Sequence, residues 1–260
     1  MDLKELKENW NEFGRIDPLS SIFRPDQKGE KWQPEEFFEL GREEVEILMR
    51  DIASLGFNLS PIKALDFGCG VGRITQALAP YFDEVYGIDI APSMIELAKR
   101  YNRYAHKCIY LLNETDDLRL FGNDHFTFVY STLTLQHMEP RYSKNYLREF
   151  LRILAPRGLL VFQQPSERRI RTEDQKFLKR LKRSIQSMVP QPLLNSYYRI
   201  KGIDLGQELE GQPKMEMYAL PQEEVVQLLE GQGGRLLRIS ENQSSGPHWV
   251  SLRYWVTKNL

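Results

Sequence analysis

One stretch constrains this chain more than any other: Ala64-Leu65-Asp66-Phe67-Gly68-Cys69-Gly70-Val71-Gly72-Arg73, followed by Gly87-Ile88-Asp89-Ile90. An apolar run ends in an acid, a glycine-rich turn follows, and amphipathic helical spacing then begins. A second apolar run ends in another acid, seventeen residues after Gly72. Glycines at 68, 70 and 72 let the backbone turn tightly and approach a ligand with no Cβ in the way. A helix starting at Gly72 presents free N–H groups and a partial positive charge to that ligand. The outline is that of a nucleotide-type cofactor pocket at the carboxyl edge of a parallel sheet.

The flanking pattern supports such a sheet. Short β-rich runs near 62–67, 84–89, 108–113, 125–131 and 158–164 alternate with amphipathic helices near 72–80, 92–103, 132–138 and 143–154. This alternation predicts right-handed crossovers and an α/β, doubly wound, mostly parallel sheet. After an interruption, Pro221-Gln222-Glu223-Glu224 starts a helix that Gly233-Gly234 ends, and strands follow at 235–240 and 248–257. The short Ser244-Ser245-Gly246-Pro247 link makes that last pair antiparallel, since parallel strands need a long crossover. Seven strands are expected in all.

The chain then divides into an N-terminal helical lid (1–60), a cofactor-binding core (61–164), an inserted acceptor cap (165–218) and a C-terminal return to the core (219–260). In the first part, Pro34-Glu35-Glu36 opens a helix that Gly56 stops. Trp10, Phe13, Trp32, Phe37 and Phe38 cover either the cofactor or simply the sheet. The insert holds eight basic residues between Glu167 and Arg183, with Phe177, Leu178, Leu181 and Ile185 as an apolar stripe. It reads first as a solvated amphipathic helix, and second as a cap recognising an anionic acceptor through residues such as Arg180 and Arg183.

At 260 residues and 41% hydrophobic, the chain can bury one good core. Its net charge of −1 gives no overall pull toward nucleic acid or an anionic membrane. Cys69 and Cys108 form neither metal-ligand spacing nor a disulfide framework, so a reducing, cytoplasmic setting is expected. No apolar run is long enough for a membrane span, and none near Met1 suits a signal peptide. No cluster has metal-ligand spacing, so no required metal is expected. Oligomeric state is not legible.

Two cofactor families use such a glycine loop. The dinucleotide fingerprint would need a third glycine at position 73, where Arg73 stands. The pattern D-x-G-x-G-x-G instead resembles the class I, S-adenosylmethionine-dependent methyltransferases, especially those acting on small molecules, over roughly 60–165. That resemblance implies a Rossmann-like methyltransferase fold and S-adenosylmethionine as cofactor, with S-adenosylhomocysteine as product. It implies that Asp66, Gly68, Gly70 and Gly72 wrap the amino-acid end of the cofactor. Asp89 would accept the ribose hydroxyls, Ile90 and Met94 would flank the adenine, and Asn113, Glu114 and Thr115 would hold its amino group. Ser131 would close the fourth strand beside the cofactor. That strand, Phe126-Thr127-Phe128-Val129, carries Thr127 where the family usually has an aspartate. Arg152-Ile153-Leu154-Ala155-Pro156-Arg157-Gly158 resembles the family's turn into strand five, with Arg157 in the place of a glycine.

Methyl transfer to a hydroxyl gains from a base, and an imidazole titrates near working pH. His137, just after the fourth strand, is the candidate catalytic base, against a local packing role for the same ring. Gln163 and Gln164 point to opposite faces, so at most one should reach the pocket. The expected activity is methylation of a small-molecule hydroxyl, on a sugar or secondary metabolite. Alternatives are N-methylation of a small amine, a nicotinamide-dependent oxidoreductase, and a non-catalytic protein retaining the fold.

Overall fold

A computed structural model of the chain describes residues 1–23, 31–169 and 213–258. Seven strands form one sheet: β1 (Lys63–Phe67), β2 (Glu84–Asp89), β3 (Cys108–Leu112), β4 (Phe126–Ser131), β5 (Leu154–Arg168), β6 (Gly234–Asn242) and β7 (Trp249–Lys258). Their order is β3-β2-β1-β4-β5-β7-β6. Strands β1 to β5 pair in parallel, and β7 runs antiparallel between β5 and β6. The sheet is thus doubly wound, mostly parallel and seven-stranded, as the sequence pattern predicts. Strand order reverses between β1 and β4, which opens a crevice at their carboxyl ends.

Helices α1 (Leu3–Ile16), α2 (Pro18–Ile22) and α3 (Pro34–Ser54) precede the sheet; α4 (Arg73–Leu78), α5 (Pro92–Tyr101), α6 (Pro140–Ile153) and α7 (Gln222–Gly231) connect its strands. Proline occupies the first turn of α2, α3, α5 and α6, where its missing N–H costs nothing. A reciprocal capping box between Asp2 and Glu5 starts α1.

The strands alternate their side chains between two cores. On one face Ala64, Val85, Phe128, Val161 and Trp255 pack with Val45 and Leu48 of α3 and Ile74 of α4. On the other, Leu65, Ile88, Val129, Leu160 and Tyr254 pack with Phe150 of α6 and Leu229 of α7. Leu6 of α1 joins this second core, so the first helix lies at the carboxyl edge of the sheet.

Most element ends fall within three residues of the sequence-based expectation, and the differences that bear on the site are around 132–138 and at the two ends of β5. The helix expected at 132–138 is a single 3-10 turn, Leu135–His137. Leu133 adopts a left-handed φ of 56°, and Glu139 is extended ahead of Pro140, which disfavours the α region for the residue before it. Strand β5 begins at Leu154 rather than 158, because a register shift lets Leu154 pair with Phe126. It also runs on to Arg168, paired with Trp249. Most of the expected basic cap, including Arg171, the basic run 176–183 and the passage 190–198, lies outside the described residues.

Candidate active site

The chain leaves β1 at Phe67 and must turn out of the sheet before α4. Gly68, Gly70 and Gly72 make this turn with φ of 74°, 52° and 86°. The N–H groups of Gly68 and Cys69 both donate to the Ile88 carbonyl at 2.9 Å, tying the turn to β2. A Cβ at Gly68 would collide with the Thr134 side chain, and one at Gly70 would meet Ile22 Cδ1 at 2.6 Å. Bare backbone therefore forms one wall of a cleft of about 720 Å³, counted to its open mouth.

Asp89, at the end of β2, forms the adjoining wall. Its Oδ2 accepts the Gly70 N–H at 2.8 Å and its Oδ1 accepts the Ala91 N–H at 2.9 Å. Burial raises the carboxyl above its ordinary range, opposed by those backbone bonds. Each oxygen retains acceptor capacity beyond the one N–H it takes, enough for a pair of hydroxyls. Ile90 and Asn113 continue this wall. The Asn113 amide, however, donates to the Thr115 and Asp117 carbonyls, and Tyr146 O–H donates to the Thr115 carbonyl at 2.5 Å. These bonds shape the 113–117 turn rather than reaching outward.

The opposite side is built by the loop after β4. Thr132, Leu133, Thr134, His137 and Met138 line the cleft there. His137 Nδ1 lies 2.9 Å from the Glu216 carbonyl and its Nε2 lies 3.0 Å from the Gln136 amide nitrogen. Gln136 Oε1 accepts from Gln163 Nε2 at 3.2 Å and from Ser245 Oγ at 2.8 Å. Gln163 Nε2 also donates to Ser251 Oγ at 2.7 Å, while Gln163 Oε1 accepts the Leu133 N–H at 3.0 Å. Burial pushes the His137 imidazole down to about 4, opposed by its bond to the Glu216 carbonyl. The ring is neutral at physiological pH, and both of its nitrogens are engaged. The cover comes from the N-terminus: Leu3, Leu6 and Trp10 of α1 and Ile22 of α2 line the cleft, with Trp10 edge-on to His137 at 5.2 Å.

The structure thus brings together Gly68, Gly70, Asp89, Ile90, Asn113 and His137. It does not bring the other expected residues into the cleft wall. Asp66 points beneath the turn, where it accepts the Thr75 hydroxyl at 2.6 Å. Gly72 faces the Tyr110 ring. Met94 is buried with Leu19, Phe37, Phe38 and Val71, a cluster that Phe13 and Trp32 also flank. Glu114 pairs with Lys7 on α1 at 2.5 Å, Thr115 is exposed, and Ser131 donates to the Phe67 carbonyl. Gln163 and Gln164 diverge as expected; Gln164 donates to the Tyr218 carbonyl. Sequence reasoning missed Gln136, Tyr146 and the Glu216 carbonyl. Of the aromatic residues it offered as a cover for the cofactor or the sheet, Trp10 lines the cleft, and α1 itself was not singled out within 1–60. The α1 cover had a signal, since Asp2 and Glu5 form a capping-box spacing and Leu3, Leu6 and Trp10 share a helical face. Among the described residues, no group of three or more His, Cys, Asp or Glu is placed to hold a metal, and no helix is long and apolar enough to cross a membrane.

Comparison with known proteins bears on this geometry. Residues 65–162 match a family model described as a methyltransferase domain. An O-methyltransferase of ubiquinone biosynthesis from Cereibacter sphaeroides is 28% identical over 100 residues, covering 38% of this chain and 40% of the relative. An uncharacterised methyltransferase of Schizosaccharomyces pombe is 36% identical over 76 residues, 26% of this chain and 25% of the relative. The chain therefore spans between a quarter and two-fifths of these curated relatives. Magnesium protoporphyrin IX methyltransferase from Synechocystis, solved with bound S-adenosylhomocysteine, superposes with a TM-score of 0.62 at 17% identity, covering all of both chains. An S-adenosylmethionine-dependent methyltransferase from Methanosarcina mazei gives 0.55 at 21% identity, over 79% of this chain and 96% of its own. These structural matches establish a shared fold.

Proposed function

We propose that this chain, whose residues 65–162 are a methyltransferase domain of the class I, S-adenosylmethionine-dependent kind, transfers a methyl group to a small-molecule hydroxyl. The observation that carries the proposal is the cleft itself. Left-handed glycine backbone at 68 and 70 and the Asp89 carboxylate, which accepts the Gly70 N–H directly, line one cleft, and a Cβ at either glycine would collide with Thr134 or Ile22 of its wall. The residues present fit a methionine-tailed nucleoside: Gly68 and Gly70 would admit its amino-acid end, Asp89 would take the two ribose hydroxyls, and Ile90 would lie against the base. When bound, the cofactor supplies a sulfonium methyl open to in-line displacement.

The chain's own task is to orient an acceptor and exclude water, effects worth on the order of 7–11 kcal/mol at best. Leu3, Leu6, Trp10 and Ile22 cover the cleft with apolar surface. His137 is neutral and stands beside the loop after β4, where Nε2 would receive the acceptor's proton once the Gln136 amide moves aside. The burial that keeps it neutral also makes it a weaker base than a free imidazole. A hydroxyl acceptor needs that proton removed; a neutral amine does not, so amine methylation is the second possibility.

The test begins with calorimetry. S-Adenosylhomocysteine should bind, and Asp89→Ala should weaken it several-fold or more, because cofactor hydroxyls would lose their acceptor. NADH should give no heat; binding of NADH in place of the homocysteine nucleoside would favour the oxidoreductase. Screening hydroxyl and amine acceptors with labelled methyl donor then separates the chemistries. His137→Ala should lower turnover on a hydroxyl roughly 10²–10⁴-fold, and unchanged turnover would remove His137 from the mechanism.

A further inference from the structure

The hydrogen bonds that end on His137 have a direction, and a backbone group sets it. The Leu133 N–H can only donate, and its acceptor is Gln163 Oε1 at 3.0 Å. This fixes Gln163 with its amide nitrogen toward Gln136 Oε1, Ser245 and Ser251. The two Gln163 amide hydrogens go first to the nearer Ser251 and Ser245 hydroxyl oxygens, at 2.7 and 2.8 Å. Gln136, receiving at Oε1 from the Ser245 hydroxyl at 2.8 Å with the Gln163 amide nitrogen 3.2 Å away, turns its own amide nitrogen toward His137 Nε2. At the ring's other side, the Glu216 carbonyl can only accept, so Nδ1 carries the proton. Nε2 is then the lone-pair nitrogen. Flipping Gln136 alone would set its NH₂ group against that of Gln163; flipping Gln163 would set NH₂ against the Leu133 N–H. Each donor–donor contact leaves buried groups unsatisfied, at a cost of ~1–3 kcal/mol per group. Gln163 and Gln136 are 1% and 4% exposed, so water does not relieve it. Leu133 holds its N–H in place from a left-handed φ of 56°, a conformation that side-chain-bearing residues seldom adopt.

We propose that Gln163 is a positioning residue of this site: oriented by the Leu133 N–H, it holds the Gln136 amide as a donor to His137 Nε2, so that with Nδ1 donating to the Glu216 carbonyl the Nε2 nitrogen stays unprotonated. The proposal builds on the methyltransferase function above, in which Nε2 receives the acceptor's proton, but its test does not need turnover. Gln163 itself does not line the cleft, and it acts only through its neighbours.

Gln163→Glu tests the polarity directly. A carboxylate still accepts the Leu133 N–H but donates nothing, so Gln136 must turn its amide nitrogen toward the introduced carboxylate and its Oε1 toward His137. Nε2 then has to carry a proton, and Nδ1 keeps its own for the Glu216 carbonyl. The measurement is long-range ¹H–¹⁵N NMR of the imidazoles at neutral pH, with the His137 signals identified by their loss in His137→Asn. The wild type should show Nδ1 protonated and Nε2 bare; Gln163→Glu should show both protonated, with S-adenosylhomocysteine affinity within about twofold. If that variant does not fold, Gln136→Glu makes the same demand on Nε2 from a different position. A wild-type ring protonated at Nε2, or a bare Nε2 in the folded glutamate variant, overturns the proposal. Failure of the wild type to bind S-adenosylhomocysteine overturns the methyltransferase function instead, and leaves the tautomer result standing.

Discussion

Asp66 and His137 show how burial gives two residues opposite demands on pH. The Asp66 carboxyl is pushed up to about 7 by burial, opposed by the Thr75 hydroxyl bond and the nearby Arg73 charge. In the unfolded chain it titrates near 3.9. Between these values the unfolded chain releases a proton that the folded chain keeps, so this residue's contribution is full below about pH 4 and lost as pH rises through 7. His137, lowered to about 4, behaves the other way: its contribution is full above roughly pH 6.5 and lost as pH falls toward 4. Asp66→Asn keeps an acceptor for Thr75 but removes the ionisation. The variant's melting temperature should therefore gain on the wild type as pH rises from 4 to 8, read by thermal unfolding across that range. A constant difference at all pH values would mean that Asp66 ionises freely in the fold. At this scale the sequence was a partial guide: it marked both residues, and placed Asp66 toward a ligand where the structure turns it to Thr75. Orientation of a strand-end side chain depends on what lies beneath the turn, and Thr75 comes from the next helix.

At the scale of elements, period and punctuation were legible, and the docking of the N-terminal helices was not. Strand β1, the glycine turn and β2 stand where the motif put them, because apolar alternation and glycine chemistry are local. The segment 132–138 reads as helix by composition, yet becomes one 3-10 turn because Leu133 and Pro140 limit it from both ends. Helix α1 has a visible cap, but its place over the cleft also draws on contacts no local pattern announces, beside the packing of Leu6 and the Lys7–Glu114 pair. Asn11 Oδ1 accepts the Ser93 N–H at 2.9 Å, and Ser93 Oγ donates to the Asn11 carbonyl at 2.7 Å. Helix α5 has no side-chain cap of its own, so Asn11 serves as one from a different helix. Removing such a cap costs ~1 kcal/mol. Asn11→Ala should thus speed hydrogen exchange in residues 3–16 and shorten the residence time of bound S-adenosylhomocysteine, with little change in global melting. Exchange no faster than in the wild type would show that apolar packing and the Lys7–Glu114 pair seat the cover without Asn11.

Across the whole molecule, the site is divided by the point where strand order reverses. Strands β1 and β2 bring the glycine turn and Asp89; β4, β5 and β7 bring Leu133, His137, Gln163 and Ser251. Only the first half is written contiguously, in residues 64–89, which is why it could be read in most detail from the chain alone. The second half gathers residues from 133 to 251, and its members meet only once β7 slots between β5 and β6. This division predicts separable behaviour under ligand linkage. At a concentration 100 times its dissociation constant, S-adenosylhomocysteine should stabilise the fold by ~2.7 kcal/mol. At roughly 2–4 °C per kcal/mol for a chain of about this size, that is a rise of roughly 5–10 °C in melting temperature. Asp89→Ala, weakened several-fold or more, should lose roughly a third or more of the rise at the same ligand concentration, while His137→Ala and Gln163→Glu should retain it. Melting curves with and without ligand for the four proteins check this in one experiment. If variants on both sides of the reversal lost the shift equally, the cleft would be a single undivided pocket, and the assignment of donor binding to β1 and β2 would fail.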